Sequence, residues 1–379
     1  MIENKKIFAF VCVVAASARD CGCPRGMGMK FNEFMGALRK EIPHVCLLAG
    51  EEHYYVDKAV DAMKRRLFPD GAGEDAIERL SGDMDIDQLI GLVETVPFFS
   101  DKNVIIVQEP PFFKAAGGKK KDTQATDSAK GKKMADKKME RLQQLIASPP
   151  SFSYVIFLMK EKPDKRKKIT KAVEQAGLIL EAEPVRAWNI NDWLRPKLRA
   201  LGKELDRDAY EYFLNAVSMM QQISLSYLDQ EFDKLALFSK APRITKKEII
   251  EVFAGLPEVS VFALVDAVSA KDAKKALALL VRQLSDGTYF TVLLALLARH
   301  VRQLWQARLL MARGVRGRAL AKPLELNPFI AEKLGQAAAR FTDAQLRSAY
   351  LAIVDADYLM KTGQGGNELL ERIIILLCA

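Results

Sequence analysis

The spacing of apolar residues changes near residue 185. Before that point, short continuous apolar runs alternate with stretches in which apolar residues recur every three or four positions. Continuous runs are typical of strands buried on both faces, and the wider spacing is typical of amphipathic helices. The runs predict strands at 45–49, 104–107, 154–158 and 178–180, and a further short strand is predicted at 76–81. Strands that alternate with helices indicate an α/β domain with a parallel sheet.

Three amphipathic stretches separate these strands, at 55–67, 86–96 and 164–176. The segment 114–139 is different, because it is rich in Lys, Ala, Gly, Asp and Ser and has no apolar period. A polar segment of that kind is typical of a flexible loop. We therefore predict a flexible loop at 114–139 within the α/β domain.

After residue 185 the chain shows helical spacing and no convincing strand. Ten helices are predicted, at 191–201, 206–217, 225–237, 245–253, 261–268, 272–284, 290–312, 327–339, 343–360 and 369–377. Thr245 with Glu248 forms a capping-box pattern, and Pro257 marks a break. We predict an α/β domain at 30–185, a small helical domain at 186–256 and a larger helical bundle at 257–379.

The first 29 residues combine a basic start, an apolar run at 7–18 and small residues. The run is too short to span a membrane. Two interpretations stay open: a signal peptide, or an extension upstream of a true start at Met27 or Met29. We favour the second, because the remainder has the character of a cytoplasmic protein, and we expect no membrane partner.

Charge and cysteine content constrain the function only in part. The net charge of +9 favours an acidic partner such as nucleic acid, although 114–139 alone carries nine lysines. The five cysteines form no disulfide framework, and Cys21-x-Cys23 lacks the second pair that a zinc site needs. His44, Cys46 and His53 flank one apolar run. We expect no metal site.

The turn at 50–57 follows a buried strand and precedes a helix, which is where P-loop proteins hold phosphate. That site requires the pattern G-x-x-x-x-G-K-[ST]. Gly50 is present, but Tyr55, Val56 and Asp57 stand in place of the second glycine, the lysine and the hydroxyl. Glu51 and Glu52 would also repel phosphate. The turn is either a degenerate phosphate site or an ordinary strand-to-helix turn, and neither binds a nucleotide.

Other catalytic patterns are absent from the sequence: G-x-S-x-G, H-E-x-x-H and paired C-x-x-C do not occur. With three histidines, the chain has few candidates for general acid–base work. We therefore predict no catalytic residues and no cofactor. A hydrolase built from clustered carboxylates stays open, but no spacing of Asp and Glu favours it.

Several segments, in order, resemble the delta subunit of the bacterial DNA polymerase III clamp loader. They are Leu47–Glu52 with Tyr55, Asp164–Lys168, Leu228-x-x-Glu231-x-x-Lys234-Leu235-Ala236, Val261-Phe262-x-Leu264-Val265-Asp266-Ala267, Gly314, Ala321, Asn327-Pro328-Phe329, Asp357-x-x-x-Lys361-x-Gly363 and Leu370-Glu371. The resemblance covers about residues 30–379. It departs from the family in the amino-terminal extension and in the lysine-rich segment 114–139.

The resemblance implies an AAA+-like α/β domain with a degenerate nucleotide site, a helical lid at 186–256 and a helical collar for oligomerisation at 257–379. It implies a subunit of the polymerase holoenzyme, a nucleotidyltransferase complex, that acts in DNA replication without hydrolysing ATP. Such a subunit binds and opens the sliding clamp, the beta subunit. The implied partners are the ATPase clamp-loader subunits, delta-prime and primed DNA within the complex.

The family's clamp contact is an exposed apolar pair after the second helix of the first domain. The matching residues here are Phe98 and Phe99, which follow Pro97. Two rigid aromatic side chains fill a pocket at low entropic cost and are typical of binding hot spots. The alternative is that one ring packs into the core.

Besides the hydrolase, two competing functions are weighed against this resemblance. An ATP-driven clamp-loader subunit or its non-catalytic relative would carry an intact P-loop or a four-cysteine zinc module. A basic helical nucleic-acid-binding protein, not tied to a clamp, would use 114–139 and 160–172 and bind DNA with a steep salt dependence. DNA-contacting residues are not identified by the sequence.

Overall fold

The computed structural model describes residues 28–69, 71, 77–98, 100–115, 129–220, 222–253 and 257–379, with the backbone alone at 129–133, 257–260 and 262. The chain divides into two compact units, Met1–Pro184 and Val185–Ala379. The fold class is the predicted one, an α/β unit followed by a helical unit. The further division of the second unit at 256 and 257 stays a prediction.

A five-stranded parallel sheet forms the centre of the first unit. Its strands are β1 Val45–Ala49, β2 Ile77–Leu80, β3 Asn103–Gln108, β4 Ser153–Met159 and β5 Leu178–Glu181. They lie in the order β2-β3-β4-β1-β5. Every residue of β1 is buried, because apolar helices cover both faces of the sheet. The continuous apolar runs therefore predicted β1, β3, β4 and β5 correctly, and β2, which is Ile-Glu-Arg-Leu, lies within the further strand predicted at 76–81.

In the described part of the first unit, five helices accompany the sheet. They are α1 Phe31–Lys40, α2 His53–Leu67, α3 Ile86–Glu94, α4 Ala129–Ala147 and α5 Lys168–Ala176. A short 3₁₀ turn at Pro111–Phe113 packs Phe113 into the core. Helix α1 was not predicted from the sequence, since only Phe34 and Leu38 on it are buried and two residues give a weak period.

The predicted flexible loop at 114–139 is wrong for residues 129–139, which form the first half of α4. The apolar residues that pack this helix, Leu142 and Ile146, lie beyond residue 139. The Lys-rich half therefore shows no apolar period of its own, although it is continuous with an amphipathic helix. Residues 116–128 lie outside the described part of the chain.

The second unit is mainly helical. Its helices are α6 Asn191–Leu201, α7 Arg207–Met219, α8 Leu225–Phe238, α9 Lys246–Val252, α10 Pro257–Ser269, α11 Ala273–Ser285, α12 Phe290–Ala312, α13 Ala321–Leu324, α14 Pro328–Ala338, α15 Asp343–Lys361 and α16 Glu368–Cys378. The capping box of Thr245 and Glu248 is formed at α9. Among the described residues, no helix is long and apolar enough to cross a membrane.

The prediction of no strand after residue 185 needs one correction. Glu204–Leu205 and Arg243–Ile244 pair as two short parallel strands, β6 and β7. Two-residue strands carry no alternation that a sequence pattern can detect. Beside them, Trp193, Phe213, Phe232 and Phe253 pack edge to face at centroid distances of 5.2–6.4 Å.

Candidate functional site

The turn after β1 is tied to the sheet by its own backbone. The N–H of Gly50 donates to the carbonyl of Met159 at 3.0 Å, and the N–H of Glu52 donates to the carbonyl of Ala182 at 3.1 Å. Gly50 has a φ of 136°, and a Cβ there would collide with the Ala182 carbonyl. Glycine is therefore required by the close backbone approach alone.

The first amides of α2 are also used within the chain. The N–H of Tyr54 donates to the side chain of Glu52 at 3.4 Å, and the N–H groups of Tyr55 and Val56 donate to its carbonyl at 3.1 and 3.4 Å. The N–H of His53 donates to the carbonyl of Glu51 at 3.2 Å. A phosphate site needs such donors aimed at the ligand, and here they are already engaged.

The side chains at the glycine and lysine positions of the pattern point into the protein. Tyr55 and Val56 are buried, and the ring of Tyr55 stacks on the ring of Phe31 at 4.4 Å. Asp57 is exposed, as is Glu51. Aromatic volume and negative charge thus occupy the region that a triphosphate would require.

Two of the residues considered for a metal site, His44 and Cys46, lie at the sheet. His44 Nδ1 lies 3.0 Å from the carbonyl oxygen of Ser153, and its ring stacks on Tyr154. Burial raises the pKa of the Cys46 thiol. Within the described residues, no three His, Cys, Asp or Glu groups are placed to hold a metal ion. Cys21 and Cys23 lie outside those residues.

The segment after α3 carries the predicted aromatic pair, and we define residues 96–99 as the tip segment. Phe98 is 91% exposed and Val96 is 69% exposed. For Phe98, the alternative of packing into the core is therefore wrong. Phe99 lies outside the described residues, so the structure does not test its position.

Polar side chains from the sheet bind the end of α3, and sequence analysis did not identify them. Asn103 Nδ2 donates to the carbonyl oxygen of Leu92 at 2.6 Å, and Ser153 Oγ donates to that of Val93 at 2.6 Å. Their only signal in the sequence is a polar residue at the head of an apolar strand. Their acceptors lie 11 and 60 residues away, a pairing that no local pattern encodes.

Ion pairs join α4 to α3. Lys138 Nζ lies 3.2 Å from Asp85 and 2.6 Å from Asp87, and Arg141 contacts Glu94 at 2.8 Å. The lysine-rich half of α4 thus supplies a cation to the amino-terminal turn of α3, where the backbone itself attracts acidic residues.

Three of the seven basic residues at 160–172 pair with neighbouring carboxylates. Lys162 pairs with Glu183 at 2.6 Å, and Lys165 pairs with Glu181 at 2.5 Å. Arg166 contacts Asp164 at 3.0 Å and lowers the pKa of that carboxyl to about 2. These three cations therefore present less positive charge to DNA than the sequence alone indicates.

The second unit contains a polar cleft of about 340 Å³ between α7, α10, α12 and α14. His300 lies in its wall, and burial lowers the pKa of its imidazole to about 4. Its Nε2 is 2.7 Å from Ser269 Oγ, which donates its proton to the carbonyl of Val265. The imidazole is therefore neutral at pH 7 and donates its Nε2–H to the hydroxyl oxygen.

These features define a class: an α/β unit with a five-stranded parallel sheet and an internally bonded turn after β1, followed by a mainly helical unit. The family model "DNA polymerase III, delta subunit" matches residues 46–183. The model "DNA polymerase III delta subunit, C-terminal domain" matches residues 258–378. The chain belongs to the family of DNA polymerase III delta subunits.

Two relatives from Bacillus subtilis support this assignment. The DNA polymerase III subunit delta of strain 168 is 24% identical over 351 residues, 92% of this chain and 96% of that protein. The solved structure of the Bacillus subtilis DNA clamp loader delta protein is also 24% identical. It covers 92% of this chain and 99% of its own, with a TM-score of 0.60, so the two share the fold. The two family models therefore place the chain among the delta subunits of DNA polymerase III.

Proposed function

We propose that this chain binds the ring-shaped sliding clamp, the beta subunit, through Phe98 and Phe99 and opens one interface of the ring. The observation that carries the proposal is the exposure of Phe98, which is 91% accessible beside the exposed Val96. Exposed apolar side chains that cluster on a surface are typical of contact sites. A rigid ring at the end of an anchored helix loses little entropy when it enters a pocket.

The proposed contact needs no nucleotide on this chain. The amides at the start of α2 are bonded internally, Tyr55 and Phe31 fill the adjacent space, and Glu51 and Asp57 add negative charge. These features support a subunit without ATP hydrolysis of its own. Its partners are then ATPase subunits and delta-prime, which supply the hydrolysis, with primed DNA bound by the whole complex in the cytoplasm.

The test is the affinity for the clamp of the double variant Phe98→Ala, Phe99→Ala. We expect binding to weaken by at least about 2 kcal/mol, because two hot-spot side chains are removed. The control is Tyr289→Ala, which removes a 79% exposed aromatic side chain from the second unit. Circular dichroism checks the fold of each variant. Unchanged clamp affinity in the double variant would remove this site assignment.

The net charge of +9 favours one other candidate, a basic DNA-binding protein. That candidate predicts tight binding of DNA by the isolated chain, with affinity that falls steeply as salt rises. The clamp-binding proposal predicts weak DNA binding by the isolated chain and tight binding of the clamp. A salt titration with primed DNA and with the clamp, on the same preparation, distinguishes the two.

A further inference from the structure

Asn103 and Ser153 are a polar pair at the heads of two apolar strands. They lie opposite each other in the register of β3 and β4. Both are buried, with exposed fractions of 9% and 0%. A buried amide or hydroxyl is costly unless it is hydrogen-bonded, so the partners of these side chains indicate why polar residues stand here.

Their partners are the last carbonyls of α3. Asn103 Nδ2 donates to Leu92 at 2.6 Å and also lies 3.5 Å from the carbonyl oxygen of Thr95, while Ser153 Oγ donates to Val93 at 2.6 Å. Since these acceptors are carbonyls, the amide nitrogen of Asn103 must face them. The sheet thereby supplies donors that the end of a helix otherwise lacks.

Helix α3 closes its own end only in part: the N–H of Thr95 donates to the carbonyl of Leu92 at 3.3 Å, and Thr95 Oγ1 donates to that of Gly91 at 2.6 Å. Its last turn contains no basic residue, and its C-cap, Thr95, is extended with a φ of −75°. A glycine in the left-handed conformation is the common alternative, and Thr95 is followed by Val96 instead. Asn103 and Ser153 therefore hold the end of α3 to the sheet, in addition to the local bonds that Thr95 makes.

The far side of the same connection is anchored as well. Ser100 Oγ donates to the carbonyl of Lys102 at 2.6 Å, and Lys102 Nζ donates to the carbonyl of Leu67 at 2.8 Å. Leu67 is the last residue of α2, where the negative end of the helix dipole attracts a cation. The connection from α3 to β3 is thus held to the body of the unit on both sides of the tip segment.

We propose that Asn103 and Ser153 are positioning residues for clamp binding: they fix the end of α3 so that Phe98 is held in its binding geometry before the clamp arrives. This inference rests on the proposed function, in which the tip segment contacts the clamp. Holding a contact residue in place before binding reduces the entropy lost on association. Releasing the helix end then weakens binding although neither residue touches the partner.

The experiment compares Asn103→Leu and Ser153→Ala, which remove the donors with little change of shape. The control is Thr170→Val. Thr170 lies in the first turn of α5 and is also buried, and its hydroxyl donates to the carbonyl of Asp164 at 2.9 Å. Clamp affinity is measured where each variant is fully folded, and hydrogen exchange is measured for the amides of residues 92–98.

We expect the dissociation constant for the clamp to rise about tenfold in each tested variant, the effect of about 1.4 kcal/mol from one lost buried hydrogen bond. Exchange of the amides at 92–98 is expected to accelerate by a similar factor. Thr170→Val is expected to lower the melting temperature without changing either quantity. In the Phe98→Ala, Phe99→Ala background, Asn103→Leu is expected to cause no further loss of affinity.

Two different failures are distinguishable. If the tested variants keep clamp affinity while Phe98→Ala, Phe99→Ala loses it, the positioning role is overturned and the proposed function stands. If Phe98→Ala, Phe99→Ala keeps clamp affinity, the proposed contact is overturned and the inference with it. Should Asn103→Leu fail to fold, Ser153→Ala, which removes a single oxygen atom, decides the question alone.

Discussion

The ring of Phe31 stacks on the ring of Tyr55 with centroids 4.4 Å apart and an angle of 16° between the planes. Phe31 begins α1 and Tyr55 lies in the first turn of α2. Tyr55 also occupies the position of the second glycine in the P-loop pattern. A helix that precedes the sheet thus contributes a ring that packs on the start of α2, beside the turn at 50–57.

The internal bonding of this turn predicts that the P-loop side chains alone do not restore nucleotide binding. We expect neither the natural chain nor the variant Tyr55→Gly, Val56→Lys, Asp57→Thr to bind ATP with Mg²⁺. The reason is that the amides of Gly50 and Glu52 stay bonded to the Met159 and Ala182 carbonyls. Calorimetric titration measures this, with an intact P-loop ATPase as the positive control. A dissociation constant below about 1 mM for the natural chain would contradict the prediction.

Two glycines of the first unit are expected to respond in opposite directions to alanine. Gly50→Ala combines a φ of 136° with a collision against the Ala182 carbonyl, and we expect a loss of about 3 kcal/mol or more. Gly91 lies in α3 with open space around its Cα, so Gly91→Ala is expected to stabilise by about 0.5–1 kcal/mol. Hydrogen exchange of the β1 and β4 amides measures the change in stability that each substitution causes. Equal effects of the two substitutions would refute this account.

Because the imidazole of His300 is buried, we predict that the second unit loses stability on mild acidification. In the folded state, burial lowers the pKa of the His300 imidazole to about 4, below its ordinary value of 6.5. Between these values the unfolded chain binds a proton that the folded chain does not, so stability falls as the pH falls from about 6.5 towards 4. We expect a loss of roughly 2 kcal/mol between pH 7 and pH 5.

Urea unfolding followed by tryptophan fluorescence measures this loss, because Trp188, Trp193 and Trp305 all lie in the second unit. The control is His300→Gln, whose amide retains a donor for Ser269 and does not titrate. His300 is the only histidine of this unit, since the other two are His44 and His53. A pH profile that His300→Gln leaves unchanged would show that another group is responsible.

A partly buried ion pair in the second unit gives a further prediction. Lys197 contacts Asp229 at 2.6 Å and Asp233 at 2.5 Å, and the side chains of Lys197 and Asp229 are only 12% and 11% exposed. Lys197→Met leaves a buried carboxylate without its cation, so we expect a loss of about 2 kcal/mol. The matched control is Arg282→Met, which breaks the exposed pair with Asp286 and should cost less than about 0.5 kcal/mol. Similar losses in both variants would contradict the role of burial.

The sequence predicted those features whose signal is local. Four of the five strands of the sheet are apolar runs, β2 being Ile-Glu-Arg-Leu, and Thr245 with Glu248 forms its cap within four residues. The exposure of Phe98 followed from a resemblance and was then found in the structure. Helix α4 was misjudged in its first half because its packing residues, Leu142 and Ile146, come later in the chain.

The remainder could not be predicted because it depends on contacts between distant residues. Ser153 caps a carbonyl 60 residues away, and Gly50 is required by a carbonyl 132 residues away. Lys138 appeared to be part of a solvated run, yet it pairs with Asp85 and Asp87. The spacing of residues along one segment contains no information about such partners.

The order of the strands also affects the synthesis of this chain. β1 pairs only with β4 and β5. Val45 therefore cannot pair until Val155 has been synthesised, and Cys46 cannot pair with β5 until Leu178 has been synthesised. At about 5–20 residues per second, the ribosome needs roughly 5 to 20 seconds to make the intervening 110 residues. During that interval the five apolar residues of β1 are without their neighbours. The first strand to be made is therefore among the last to be protected from other nascent chains.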